Sequence, residues 1–412
     1  MRDRPRERDI VFTGAAVSCR LGDDLGAIGA QLRAGISPPF TRWPPAIEYG
    51  ARGQVVAVVD TPLDSAALGL PKERTRFMGR AARLAYLVAR RALDAAKMTR
   101  DDFAIVVGSG VGDSDAHGEI ERKLVETHSA RRASPTSVPR LMSSTVSANL
   151  VNTLHTTGPS FGVAAACAAG AYNIIVAAEL IAAGHVDAAI AGGVDVADLH
   201  FLAAFDAMRA CNTIDNETPA RASRPYAADR AGFVFGDGAG IVVLETRASA
   251  EARGVEILGV LRGCGMSSDG TGEMVAPSSV AAEQAMRRAL AHAGVTAAEI
   301  DYVNTHGTST PVGDIAEVRA LRRVFDERKV AYSSTKGYTG HAISGAGAME
   351  AVFTLLMLRD GYLSPSVNAT PLDPELVDWP PVLEPTNARI QLAMSNSFGF
   401  GGTNAVLILG AP

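Results

Sequence analysis

Cysteine is scarce. Cys19, Cys167, Cys211 and Cys264 are the only four in 412 residues, far apart and never in a CxxC pair. That spacing argues against a disulfide framework or a structural zinc site and fits a reducing cytoplasm. An excess of positive charge is also missing. The formal net charge is −5, whereas a nucleic-acid binder is usually basic. With 47% hydrophobic and 20% charged residues, the composition is too apolar for a disordered chain. There is no GxGxxG and no P-loop, so nucleotide binding has no support. Gly158–Gly162 (GPSFG) formally fits GxSxG, but that elbow needs a strand before the serine and a helix after it, and here the order is reversed. The one long apolar run, Phe161–Ala183, carries Asn173 and Glu179, with His185 and Asp187 close behind. It reads as a tightly packed central helix, not a membrane span. The opening MRDRPRERD alternates arginine with acids and has no apolar region behind it. No signal peptide is expected there, and residues 1–8 read as a solvated, flexible tail.

What is present is a large α/β chain. Its length predicts two domains or one duplicated one. Strands are expected at Asp9–Ser18, Gln54–Val59, Phe103–Val107, Asp187–Gly192, Val255–Cys264, Ile300–Asn304, Val330–Ser334, Ile390–Ser395 and Ala405–Leu409, with a strand pair bent at glycines over Ala231–Glu245. Helical spacing covers Leu25–Leu32, Glu73–Ala96, Ala116–His128, Val138–Leu154, Val280–His292, Ile315–Phe325 and Gly345–Arg359. Thr41–Gly53 reads as loop. The composition turns charged near Arg247–Gly254, which divides the chain into halves at 9–253 and 254–412. The halves echo each other. Arg90-Arg91-Ala92-Leu93 precedes a strand at Val106 and a turn at Gly110. Arg287-Arg288-Ala289-Leu290, 197 residues later, precedes a strand at Val303 and a turn at Gly307 at the same offset. A constant offset across helix, strand and turn indicates an internal duplication.

The stretch of greatest chemical interest is Ser160–Gly184, a short strand running into a helix of small residues with Cys167 at the junction. Unpartnered N–H groups at a helix start favour an anion, so a thiolate is expected there, with Gly170 leaving room for a close neighbour. Three further polar stretches fall at or between predicted strand ends: Asn304–Pro311, Ser334–His341 and the glycine-dense Asn396–Asn404. In open α/β sheets functional groups collect at the carboxyl ends of strands. One cysteine, His306, His341, Lys336 and a glycine-rich backbone together supply a nucleophile, hydrogen-bond donors and an oxyanion hole. Taken singly, each has a blander reading: a buried thiol, loop histidines, a solvated lysine and a flexible hairpin.

At these residues the chain resembles the beta-ketoacyl-[acyl carrier protein] synthases, elongating condensing enzymes of fatty-acid and polyketide assembly. The likeness is carried by the Cys167 junction, NTHGTSTPVGD (Asn304–Asp314), STKGYTGH (Ser334–His341), SNSFGFGGTN (Ser395–Asn404), GMSSDG (Gly265–Gly270), MVAPS (Met274–Ser278) and TPARASRPYAADRAGFV (Thr218–Val234). It implies a thiolase fold, a duplicated five-layered αβαβα sandwich, and a decarboxylative Claisen condensation. In those terms Cys167 carries the acyl chain, and the backbone N–H groups of Cys167 and Phe400 form the oxyanion hole. His306 and His341 stabilise the enolate, and Lys336 organises the site with Glu350 as its buried partner. Thr308 and Thr310 line the pantetheine channel, and Phe400 is a gate between the acyl pocket and the malonyl site. Phe205 and Val111 shape the acyl pocket, Val111 across a dimer interface. Lys72, Arg74, Arg76 and Arg209 form a basic docking patch. The implied partner is an acidic acyl carrier protein, which brings its own 4'-phosphopantetheine. No cofactor or metal is implied on the chain itself, nor any membrane or nucleic-acid partner. Assembly is expected as a homodimer, or as a heterodimer with a chain-length-factor-like subunit.

Ala165, Ala168, Ala169, Gly337-Tyr338 and Ile343–Gly345 depart from the usual pattern, which leaves the acyl chain length and the fatty-acid or polyketide pathway open. A thiolase would need a second cysteine in Phe398–Asn404, and the priming synthases carry asparagine where His341 stands. A non-condensing partner subunit would lack Cys167.

Overall fold

The computed structural model describes residues 9–275 and 277–412, so the expected tail at 1–8 lies outside the described residues. Ten strands form one continuous sheet: β1 (Ile10–Cys19), β2 (Ala104–Gly108), β3 (Ser160–Phe161), β4 (Ala188–Asp195), β5 (Gly238–Thr246), β6 (Gly259–Ser268), β7 (Tyr302–Asn304), β8 (Ala331–Ser333), β9 (Leu392–Gly399) and β10 (Thr403–Gly410). Their order is β3-β2-β4-β5-β1 followed by β6-β10-β9-β7-β8.

Each half repeats one plan. The half's second strand runs parallel to the third and fourth, and the fifth runs antiparallel to both the fourth and the first. The seam between halves is short: Val11 faces Val260 and Phe12 faces Gly259 across β1 and β6. Identical order and identical sense in both halves is what a duplicated α/β unit produces.

Helices fill the layers around this sheet: α1 (Arg80–Ala95), α2 (Ala169–Ala182), α3 (Leu199–Ala207), α4 (Ser279–Ala293), α5 (Gly313–Phe325) and α6 (Ala346–Asp360). α1 is strongly amphipathic and packs its buried stripe on the outer face of the first half. α4 and α5 do the same on the second half. α2 and α6 lie between the halves, where residues of both half-sheets join them in one core. Residues 346–358 of α6 are all buried, as a helix covered on every side requires. The two inner helices approach closely: a Cβ at Gly170 would stand 2.7 Å from the Ser344 carbonyl oxygen and 2.8 Å from the Ala348 nitrogen. The result is the five-layered αβαβα sandwich.

Several elements differ from the sequence expectation. The helix expected over Glu73–Ala96 is two, Lys72–Thr75 and Arg80–Ala95, because Gly79 is extended. Val138–Leu154 likewise breaks at the extended Met142 into Ser137–Leu141 and Thr145–Leu154. Thr41–Gly53 contains a short strand and a helix at Pro44–Glu48, and of the next expected strand Val55–Val56 is regular while Ala57 makes a single bridge to Gly236. Residues 231–237 form no regular strand beside β5. They make single bridges, Phe233 to Cys211, Phe235 to His341 and Gly236 to Ala57. The helix Arg247–Arg253 closes on Gly254 before the chain enters β6. Among the described residues no helix is long and apolar enough to cross a membrane.

Candidate active site

The chain leaves β3 at Phe161, runs irregularly to Ala165, and makes a single tight turn, Ala166–Ala168, that opens into α2. Ala166 takes a left-handed φ of +46°, and Cys167 sits in that turn, 6% exposed. The expected thiolate is corrected here. Cys167 precedes the first turn of α2, and burial pushes its thiol up to about 12. Lys336 and the backbone N–H groups of Phe400 and Cys167 pull the other way and only partly offset burial. The resting group is therefore the neutral thiol. Carboxamidomethylation of Cys167 is expected to speed up about tenfold per pH unit from pH 8 to 11, as the thiolate fraction does below the pKa. A rate that levels off near pH 8 would show a thiolate already stabilised at rest.

His306 follows β7 in a loop pinned from below. Its N–H and that of Gly307 donate to the Glu317 carboxylate at 2.9 and 2.8 Å, and the Asn396 amide donates to the same group at 2.9 Å. Glu317, buried on α5, was not singled out in the sequence. The signal was there: Asp314 and Glu317 lie one turn apart on the buried face of a helix, where carboxylates need partners.

Lys336 begins a short helix after β8 and is 1% exposed. Its ammonium donates to Glu350 Oε1 on α6 and stands 3.3 Å from His306 Nδ1. An ammonium has no acceptor lone pair, so Nδ1 accepts and the His306 proton resides on Nε2. Burial pushes the Glu350 carboxyl up to about 7, with Lys336 pulling it down. His341 is held through its backbone: its N–H donates to the Val234 carbonyl at 2.7 Å, and its carbonyl accepts from Gly236 at 3.2 Å. Among the described residues neither of its ring nitrogens has a hydrogen-bond partner, which leaves both to a substrate.

The two imidazole rings meet edge to face, centroids 5.3 Å apart. The Cys167 sulfur and a nitrogen from each ring all lie within 4.8 Å of one another. Burial holds both imidazolium forms well below the usual range. Lys336 adds to this for both rings, and His341 does so for His306. Both rings are neutral donors at physiological pH.

These groups open on a cavity of about 390 Å³ lined by Cys167, His306, His341, Thr308, Thr310 and Phe400. The two threonine hydroxyls are 3.0 Å apart. Phe205 on α3 also lines it, edge to face with Phe233 at a centroid distance of 5.0 Å and tilted against Phe201 and Phe400 at 4.6 and 6.2 Å. Phe233 and Ile343 are lining residues to which sequence reasoning gave no role. Gly399 lies against the nucleophile turn, where a Cβ would come within 2.9 Å of the Ala165 carbonyl oxygen and 3.2 Å of the Cys167 nitrogen. Arg209 is exposed at the rim. Lys72, Arg74 and Arg76 are exposed on another short helix and its cap, and they do not line this cavity. Val111 is half-buried and does not reach the cavity within one chain.

Such an arrangement handles two developing negative charges: an oxyanion beside paired backbone N–H groups, and an enolate beside two neutral imidazoles.

Comparison with known proteins agrees with this chemistry. The family described as beta-ketoacyl synthase, N-terminal domain, matches residues 7–250, and its C-terminal domain matches residues 258–370. The 3-oxoacyl-[acyl-carrier-protein] synthase 1 of Haemophilus influenzae is 39% identical over 410 residues, 97% of this chain and 98% of that protein. A beta-ketoacyl synthase from Burkholderia phymatum superposes with a TM-score of 0.89 at 31% identity, over 98% of this chain and 100% of that one. The ishigamide ketosynthase/chain length factor superposes at 0.87 with 30% identity, over 98% of this chain and 99% of that one.

Proposed function

The chain belongs to the beta-ketoacyl synthase family, and we propose that it acts as a 3-oxoacyl-[acyl carrier protein] synthase elongating acyl chains in fatty-acid or polyketide assembly. The observation that carries the mechanism is the convergence of one sulfur and two neutral imidazoles within 4.8 Å. In the first half-reaction the Cys167 sulfur attacks the thioester of an acyl carrier. The carbon–sulfur bond to Cys167 forms, the bond to the carrier's pantetheine breaks, and the thiol proton ends on the departing sulfur. The N–H groups of Cys167 and Phe400 hold the oxyanion between these events.

In the second half-reaction a malonyl thioester enters past Thr308 and Thr310. Its carbonyl oxygen accepts hydrogen bonds from His306 Nε2 and from His341. The carboxylate leaves as carbon dioxide, and its electron pair becomes the enolate those donors stabilise. The enolate carbon attacks the acyl carbon on Cys167, the new carbon–carbon bond forms, the bond to the Cys167 sulfur breaks, and the expelled thiolate takes up a proton from solvent to restore the resting thiol. Lys336, paired with Glu350, orients His306 and fixes its tautomer. Every step runs on protein groups and the carrier's own arm, so no cofactor bound to the chain is invoked. Residues 9–253 supply the nucleophile and residues 254–412 the imidazoles and the lysine.

The partner we assign is an acidic acyl carrier protein; the name of the Haemophilus relative gives an acyl carrier protein for that enzyme. Arg209, at the rim, and Lys72, Arg74 and Arg76, further out, are the cations we assign to its docking. A second subunit, identical or chain-length-factor-like, fits the outer end of the first half-sheet. There β3 is an edge strand with Phe161 36% exposed, and in the chain between β2 and β3 Val125 and Val138 are each 73% exposed. The Val111 turn follows β2, beside that edge. A cytoplasmic setting suits this chemistry and the four free, buried cysteines.

The test is a condensation assay with malonyl-carrier and a ladder of acyl-carriers, read by mass spectrometry. The expected products are 3-oxoacyl-carriers two carbons longer, with an acyl adduct on Cys167. An inert Cys167 across the whole ladder would favour the non-condensing partner subunit. In the same assay, reversing Arg74 and Arg209 to glutamate is expected to raise KM several-fold for carrier-bound substrate and not for a small thioester mimic. An equal change for both substrates removes the docking assignment.

A further inference from the structure

Asp195 ends β4 and is 1% exposed. One carboxylate oxygen accepts from the Ser109 hydroxyl at 2.6 Å and the Gly110 N–H at 3.0 Å, and the other accepts from the Ser344 N–H at 2.9 Å. Ser109 Oγ in turn accepts from the N–H groups of Val111 and Gly112, at 3.4 and 3.0 Å. One buried anion thus clasps two turns from opposite halves: residues 109–112 after β2, and Ile343–Gly345 ahead of α6. Burial pushes its carboxyl up, and these donors pull it back down.

The second turn is strained where it meets the cavity. Ile343 has φ +44°, a region that β-branched residues avoid and occupy only when their surroundings enforce it. Its counterpart in the first half is Ala166 at φ +46°. Each residue opens a single turn that leads into an inner helix, α2 or α6, so Ser344 stands in the second half where Cys167 stands in the first. The Ser344 hydroxyl reaches the Ala166 carbonyl at 3.4 Å. The Ser344 carbonyl is seated on Gly193, where any Cβ would come within 2.0 Å of it. Ile343 lines the cavity beside Cys167 and His341 and shares an apolar cluster with Phe205 and Phe233. Its Cγ2 lies 3.4 Å from where a Cβ on Gly110 would be.

We propose that Asp195 is a positioning residue for the acyl end of the cavity: it pins Ser344, holds Ile343 in its left-handed conformation beside Cys167, and ties that wall to the Val111 turn. The proposal rests on the reading of Cys167 as the acyl-accepting thiol. Asp195→Asn keeps the shape of the side chain, removes its charge, and turns an amide donor toward groups that are themselves donors.

Two ladders test it. One measures Cys167 alkylation by iodoacetamides of increasing N-alkyl chain length, which needs no turnover. The other measures acyl transfer from carriers of matching chain length. In Asp195→Asn the ratio of long-chain to short-chain rates is expected to shift by at least about tenfold in both ladders, a scale set by what single methylene contacts discriminate. Asp195→Glu, which keeps the charge, should lie nearer the parent enzyme. Ser109→Ala removes one donor, leaves the carboxylate in place, and should shift the ratio the same way by less; it decides the question should Asp195→Asn fail to fold. An unchanged ratio, or an equal loss at every chain length, overturns the proposal. A parent enzyme that alkylates normally on Cys167 yet accepts no acyl-carrier overturns the condensing reading instead, and the alkylation ladder still decides on Asp195.

Discussion

Cys167→Ala is expected to form no acyl-enzyme and no 3-oxoacyl product while still decarboxylating malonyl-carrier. Losing an attacking nucleophile from an otherwise intact site costs on the order of 10⁴–10⁶ in rate. Decarboxylation needs only the donors that face the malonyl carbonyl, and those come from His306 and His341, which the substitution leaves in place. A rate within about tenfold of the parent is therefore expected for carbon dioxide release. Cys167→Ser should resemble the alanine variant. The thiol already resides in a pocket that pushes it up to about 12, and a hydroxyl, far less acidic, would gain too little from the same N–H groups and Lys336. Product from Cys167→Ala, or loss of decarboxylation in step with condensation, would refute the division of labour between the two halves. Carbon dioxide release and acyl-adduct formation, measured on one preparation by mass spectrometry, separate these outcomes.

The fold was legible wherever one residue pattern governed one element. α2 reads as a central helix from the long apolar run that contains it, and α1 and α6 read as helices from their spacing. The duplication shows because equal offsets survive in the outer helices and the strands that follow them. The breaks in helices were not legible: whether the backbone at Gly79 and Met142 continues or turns depends on packing that neither residue announces. Residues 231–237 show the same limit. Their β-rich composition promised a strand, but in place they serve as a girder whose single bridges hold the His341 backbone. The motifs pointed to Cys167, His306, His341 and Lys336, which the structure gathers around one cavity. They did not point to Asp195 or Ile343, because nothing local marks a carboxylate whose donors lie 85 and 149 residues away. The thiolate expectation failed for a physical reason. A helix mouth stabilises an anion only where solvent or further donors share the charge, and at Cys167 burial outweighs both.

The Lys336–Glu350 pair separates a structural role from a catalytic one. Both residues are almost wholly buried, and breaking such a pair from one side costs about 3–5 kcal/mol because a charge is left without a partner. In Lys336→Ala the remaining group is Glu350, whose carboxyl is pushed up to about 7 even with the ammonium beside it. Without that ammonium it rises further. A carboxyl raised in the folded state binds its proton there while the unfolded chain has already released it. Stability therefore falls as pH climbs from the unfolded value, about 4.3, through the folded one. Lys336→Ala should accordingly be close to parent stability at pH 5 and clearly destabilised at pH 8, as read by denaturant midpoints. Lys336→Ala/Glu350→Gln removes the titrating group and should lose this pH dependence. Catalysis should not follow stability. His306 Nδ1 keeps no ammonium in either variant, its tautomer is no longer fixed, and decarboxylation and condensation should both fall by about 10²–10³, the usual cost of one misplaced oxyanion donor. If the double variant regains activity together with its stability, Lys336 serves only to neutralise Glu350, and the organising role assigned to it is wrong.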